Sequence, residues 1–331
     1  MTEPPHSPLG TNPEAFVNHS QKPLLRDVQL AELRSCFSGP LALVRPLHAW
    51  VHGPPGTGKT LCIRHLLEKE ARQAGFLPLY VNCRERFTFL SVIERILDQV
   101  KPLRSTQRTK ERLVAFLHQE LRNRRAVIAL DEVDVLTDEE AADLLHHLCA
   151  FPTTSVICIA SSRHMLLRLP EAVRSRLAPR QVLFPRYQPE ELRRILLPVI
   201  GRALPPNAWS PEALQVVVDH SYGDARRAIA LLRHVIQRAE DAGARTLRPE
   251  HLQPSNFNHY DSRVEEQLGE LSSHHRVLYD LVVAQGPISR PTLGIEYLTA
   301  YRGKEGNQVA PRTIDKYLVQ LYLFSGFTLR G

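Results

Sequence analysis

Val51-His52-Gly53-Pro54-Pro55-Gly56-Thr57-Gly58-Lys59-Thr60 decides how the rest of the chain is read. From Gly53 to Thr60 it fits the phosphate-loop pattern GxxxxGK(S/T) at every fixed position. A triphosphate needs several hydrogen-bond donors converging on a small volume, and a glycine-rich turn lets backbone N–H groups come close enough. The pattern predicts a site for ATP or ADP lined by Gly53, Pro54, Pro55, Gly56, Thr57, Gly58, Lys59, Thr60 and Leu61. Lys59 would reach the β and γ oxygens, and Thr60 would hold Mg²⁺. The helix starting there would turn its positive end on the phosphates. On either side the context agrees: Leu47–Val51 reads as a short strand, and Leu61, Cys62, Ile63, Leu66 and Leu67 form an apolar-faced helix expected to run to Ala74.

The second half of the site follows from Ala126-Val127-Ile128-Ala129-Leu130, a continuous apolar run read as a central strand that delivers Asp131 and Glu132 at its C-terminal end. Ligands of open α/β sheets bind at that edge. Asp131 is therefore expected to hold Mg²⁺ through water and Glu132 to polarise the attacking water, with Asp134 a cap or loop residue. A further strand, Ser155–Ala160, ends at Ser161 and Ser162, between the two halves of the site. Phe76–Asn82 reads as a strand whose Pro78 argues for an edge position.

The chain has 331 residues, enough for a full α/β core and one or two smaller domains, and its net charge of +7 permits nucleic-acid binding without requiring it. Five cysteines without metal-ligand spacing read as reduced thiols, and no apolar run is long enough for a membrane span. These features favour a cytoplasmic or nucleoid-associated protein with no membrane partner.

Four regions emerge. Residues 1–22 are read as a flexible arm, and 23–187 as the α/β nucleotide-binding domain, opening with a packing helix from Leu24 to Phe37. Residues 188–254 are read as a helical lid. There Asp224 N-caps a long helix and sets Arg226 in its first turn, within reach of the γ-phosphate. Residues 255–331 form a small helical domain with expected helices at His274–Ala284, Pro291–Ala300 and Pro311–Leu323. Between 163 and 202 lie nine arginines against three acids, either a solvated face or a surface for DNA or a neighbouring subunit.

Several runs carry a resemblance: Val81-Asn82-Cys83-Arg84, Arg174-Ser175-Arg176-Leu177, Phe184-Pro185-Arg186-Tyr187, Gly223-Asp224-Ala225-Arg226-Arg227-Ala228 and Arg312–Leu318. With the phosphate loop and Asp131-Glu132, the chain resembles the AAA+ ATPases of the archaeal and eukaryotic replication-origin recognition and helicase-loading family. The resemblance implies an AAA+ core, a helical lid and a C-terminal winged-helix domain. It makes Arg226 the second sensor, and Arg176, with Arg174 as the alternative, the finger reaching an adjacent protomer's nucleotide in a homo- or hetero-oligomer. Arg26 and Tyr187 fall beside the nucleotide. It implies ATP-switched binding of double-stranded origin DNA and recruitment of a replicative helicase. Ser161 falls where the family carries a first-sensor Asn, and its shorter side chain predicts slow turnover. Because the chain ends at Gly331, the wing is expected to be short or absent. Two other readings remain open at this level: an AAA+ regulator of transposition or plasmid maintenance, and a module that binds ATP statically to present a protein-interaction surface.

Overall fold

The computed structural model describes residues 9–16, 23–38, 47–101 and 109–251, with Val277, Leu281, Glu296 and Tyr297 as isolated helical positions. Apart from those four positions, the expected helices of the C-terminal domain lie outside the described residues. Met1–His251 and Leu252–Gly331 are separate compact units.

A short helix α1 (Asp27–Arg34) precedes strand β1 (Ala49–His52). After the phosphate loop comes helix α2 (Lys59–His65), which widens into π turns over Leu66–Ala71 instead of running on as α-helix to Ala74. The π turns keep Leu66, Leu67 and Ala71 all facing inward. Strand β2 (Leu77–Asn82) is followed by helices α3 (Phe89–Val100) and α4 (Lys110–Leu121), then by strand β3 (Ala126–Asp131). Helix α5 (Asp138–Leu148) begins in a capping box in which the Thr137 hydroxyl accepts from the Glu140 N–H. Strand β4 (Thr154–Ala160), helices α6 (His164–Arg168) and α7 (Glu171–Leu177), and strand β5 (Arg180–Leu183) complete the core.

The five strands are parallel, in the order β2-β3-β4-β1-β5. Pro78 thus sits on an edge strand, where its missing N–H costs no ladder bond. β3 and β4 are buried on both faces, as continuous apolar runs require. Alternate side chains feed two cores. Trp50, Leu79, Ile128, Leu130, Val156 and Cys158 pack under α3, α4 and α5, while Val51, Val127, Ala129, Ile157 and Val182 pack under α1 and α2. Each fully buried Leu, Ile or Val is worth about 1.5–3 kcal/mol, so register is fixed by which face a residue must reach.

The lid comprises α8 (Pro189–Ala203), α9 (Pro211–Asp219) and α10 (Ala225–Asp241), packed through Leu196, Ile200, Leu214, Val217, Leu232 and Ile236. Part of the expected free arm is docked here. Leu9 and Ala15 are buried, Pro13–Phe16 forms a 3-10 turn, and Asn12 N–H donates to Ala203 O at 2.8 Å. Two small apolar side chains among prolines and polar residues give too little periodicity for the sequence to reveal this contact.

Candidate active site

Parallel pairing brings the chemistry to one edge. His52 is in register with Ala160 and Leu183, and Asn82 with Asp131, so the loops after all five strands open on the same side. Gly53, Gly56 and Gly58 have φ of 147°, 69° and 88°. A Cβ on Gly53 would lie 2.1 Å from Phe184 O, and one on Gly58 would lie 2.9 Å from the Tyr187 hydroxyl. The loop is thus wedged between the end of β5 and the lid, and only glycine fits the closest approaches.

Lys59 Nζ donates to the carbonyls of Gly53 and Pro54, at 2.5 and 2.8 Å. Burial pushes its pKa down to about 8, against the pull of Asp131 and Asp134; Arg226 lowers it further and Asp224 raises it. A largely buried ammonium bonded only to carbonyl oxygens suits an incoming polyphosphate. Thr60 Oγ1 donates to Asp131 Oδ2 at 2.7 Å, bringing together the hydroxyl and the carboxylate that the sequence assigned to Mg²⁺. These are hard oxygen donors of the kind that cation takes. Thr57 is buried and donates to Pro54 O at 2.8 Å, and Leu61 points outward, leaving only its backbone to the site.

Glu132 follows Asp131 with φ 54°, a left-handed conformation costing about 1–3 kcal/mol for a non-glycine residue. Its N–H donates to Asp131 Oδ1 at 3.0 Å, while its carboxylate pairs with the Arg84 guanidinium. Ser161, at the first-sensor position, is tied to Asp134. Its N–H donates to Asp134 Oδ2 at 2.9 Å and its hydroxyl donates to the same oxygen, so Asp134 is a cross-tie between the ends of β3 and β4.

The lid closes directly on the loop. Ala225 N–H donates to Gly56 O at 3.0 Å, and a Cβ on Gly56 would lie 1.7 Å from Asp224 Oδ1. Asp224 caps α10 by accepting from Arg227 N–H at 2.9 Å, which sets Arg226 in the first turn near Lys59. Tyr187 N–H donates to Gly223 O at 3.0 Å. Arg26, assigned beside the nucleotide, is 3% exposed and cross-links the site. Its Nε donates to Thr57 O at 3.0 Å, its Nη2 donates to Pro185 O at 2.7 Å, and its guanidinium stacks 3.8 Å from the Tyr187 ring centroid. Arg176 stands outside this cluster, exposed on the last turn of α7, with Nη1 3.4 Å from His146 Nδ1.

Sequence reading missed Tyr80, whose hydroxyl donates to Asp131 Oδ2 at 2.7 Å, and the pairing of Arg84 with Glu132. Burial and the Asp131 carboxylate push the Tyr80 pKa well up.

Residues 45–184 match the family model described as AAA domain. Over 314 residues the chain is 29% identical to ORC1-type DNA replication protein 9 of Halobacterium salinarum, covering 92% of this chain and 86% of that protein. With ORC1-type DNA replication protein 2 of Methanosarcina mazei it shares 33% identity over 238 residues, 67% of this chain and 63% of the relative. The chain belongs to the AAA+ ATPases of the archaeal and eukaryotic origin-recognition family. The structure of the Aeropyrum pernix Orc1 protein in complex with DNA matches this origin-recognition AAA+ chain with TM-score 0.63 and 25% identity, covering 94% of this chain and 86% of that one. The Aeropyrum pernix ORC2 protein, solved with ADPNP and ADP, shares the fold at TM-score 0.69 and 19% identity, over 95% and 90% of the two chains.

Proposed function

We propose that this chain is an ATP-switched, DNA-binding protein of replication initiation that hydrolyses ATP slowly. The observation that carries the reading is the seating of the α10 N-terminus on Gly56, with Arg226 in its first turn and its charge felt at Lys59. Lys59 would exchange the Gly53 and Pro54 carbonyls for phosphate oxygens, and Arg226 would bind the γ-phosphate from the lid side. Thr60 and Asp131 would hold Mg²⁺, which when bound supplies charge neutralisation at the β and γ oxygens. Glu132 would accept a proton from the attacking water once its carboxylate leaves Arg84. With its hydroxyl on Asp134, Ser161 lends little to that water, which supports slow turnover and a nucleotide-held state.

Arg176, exposed and outside its own cluster, would serve the nucleotide of a neighbouring protomer, of the same chain or a related one. Double-stranded DNA is the expected ligand of the arginine-rich surface and of residues 255–331, origin DNA its specific form, and a replicative helicase a downstream partner. The test is affinity for labelled duplex DNA, origin-like and random, across several salt concentrations, with ATP, ADP and the Lys59→Ala protein in parallel. Sequence-biased binding that changes with nucleotide and is lost in Lys59→Ala is the expected outcome. Nucleotide-independent binding, or none in any state, overturns the reading.

A further inference from the structure

Asp131 is 3% exposed, and a carboxylate so buried has its direction set by its hydrogen bonds. Oδ1 accepts from Glu132 N–H at 3.0 Å; Oδ2 accepts from Thr60 Oγ1 and from Tyr80 Oη, each at 2.7 Å. Tyr80 lies on β2, paired with Ala129 two residues before Asp131, so both side chains rise on the same face of the sheet.

Three contacts fix Tyr80 itself. On its inner side it is held by the β3 register. β2 is an edge strand, so the outer backbone groups of Tyr80 have no neighbouring strand; the Gln99 side chain on α3 takes its place. Tyr80 N–H donates to Gln99 Oε1 at 3.1 Å, and Gln99 Nε2 donates to Tyr80 O at 3.0 Å. Over the ring, the Arg64 guanidinium of the helix leaving the phosphate loop stacks 4.5 Å from the centroid. A side-chain amide standing in for a strand, at a residue whose hydroxyl meets Asp131, is a built support.

We propose that Tyr80 is a positioning residue of the cation site, its hydroxyl fixing the Asp131 carboxylate so that Thr60 and Asp131 present their oxygens together to Mg²⁺. This rests on the nucleotide–metal reading above. With the Thr60 proton committed to Oδ2, the hydroxyl lone pairs face outward. With Tyr80 on the same oxygen, the carboxylate cannot swing about its terminal torsion. Partners that orient metal ligands in this way alter metal affinity by about 10–100-fold when removed.

The test is a Mg²⁺ titration of a fluorescent ATP analogue bound to the full chain, with affinity in EDTA and the thermal midpoint measured alongside. Tyr80→Phe keeps the ring, the Arg64 stack and both Gln99 bonds. The expected result is a rise of about tenfold in half-saturating Mg²⁺, with unchanged EDTA affinity and a thermal midpoint lowered only slightly by the lost hydrogen bond. Gln99→Met, which frees the Tyr80 backbone but leaves the hydroxyl, is expected to shift the Mg²⁺ midpoint in the same direction by less. An unshifted Mg²⁺ midpoint in Tyr80→Phe overturns the proposal, as does an equal loss of affinity in EDTA. Absence of any Mg²⁺ dependence in the unsubstituted chain would instead overturn the metal site itself.

Discussion

Removing Arg26 tests whether the phosphate loop is held open by the nucleotide-binding core alone or by a segment that precedes it. Arg26→Met deletes two charge-assisted hydrogen bonds, to Thr57 O and Pro185 O, and a stack 3.8 Å from the Tyr187 centroid. Each such bond contributes about 1.5–3 kcal/mol and the stack about 1–2 kcal/mol. Against that, a cation no longer has to be buried, which returns several kcal/mol. The thioether stem still fills much of the space. The net expectation is a loss of about 2–4 kcal/mol. For Arg26→Lys the loss is smaller, about 1–2 kcal/mol, because one ammonium lacks the planar fork that spans both carbonyls. Urea unfolding followed by Trp50 fluorescence in a Trp209→Phe background gives the readout, since Trp50 is fully buried on β1 beside the loop. A Met variant within about 0.5 kcal/mol of the parent, below the ~1 kcal/mol typical of a single lost interaction, would refute the cross-link.

Other perturbations probe the neighbouring contacts. Gly56→Ala should weaken ATP binding by about tenfold or more, the 1.4 kcal/mol that left-handed strain alone can supply. Its Cβ would also meet Asp224 Oδ1 at 1.7 Å, so adding Asp224→Ala should restore part of the affinity in an equilibrium titration. Glu132→Gln should retain ATP binding and lose hydrolysis by about 100-fold, the usual worth of a positioned general base; phosphate release at the parental rate would remove Glu132 from that role. In the Arg34–Glu70 pair, the hydrogen bond from Arg34 holds the Glu70 pKa below the usual carboxylate value despite opposing burial. Its contribution is therefore present above the unfolded-state pKa and disappears as pH falls through the folded value. With Arg34 48% exposed, solvent screening limits it to about 1 kcal/mol or less. Glu70→Gln should lower the thermal midpoint slightly at neutral pH, and the gap should close in acid.

The phosphate loop and the Asp131-Glu132 pair were legible because each is a local pattern, a fixed spacing in one case and an apolar run ending in acids in the other. Arg226 could be placed because an N-cap sets the phase of the helix after it. Tyr80 could not, since its partner lies 51 positions away and is reached only through strand register. The same holds for Asp134, which reads as a turn acid until β3 and β4 stand side by side and bring Ser161 to it. Arg26 shows the limit of reasoning by resemblance, since its donors turn to the backbone of the loop and of Pro185.

The bond from Ala225 N–H to Gly56 O makes α10 a lever with its fulcrum on the phosphate loop. Its 17 residues span about 25 Å, so a tilt of about 10° at Gly56 carries the far end through about 4 Å. A nucleotide that tilted the lid about this contact would carry the chain at Asp241 with it.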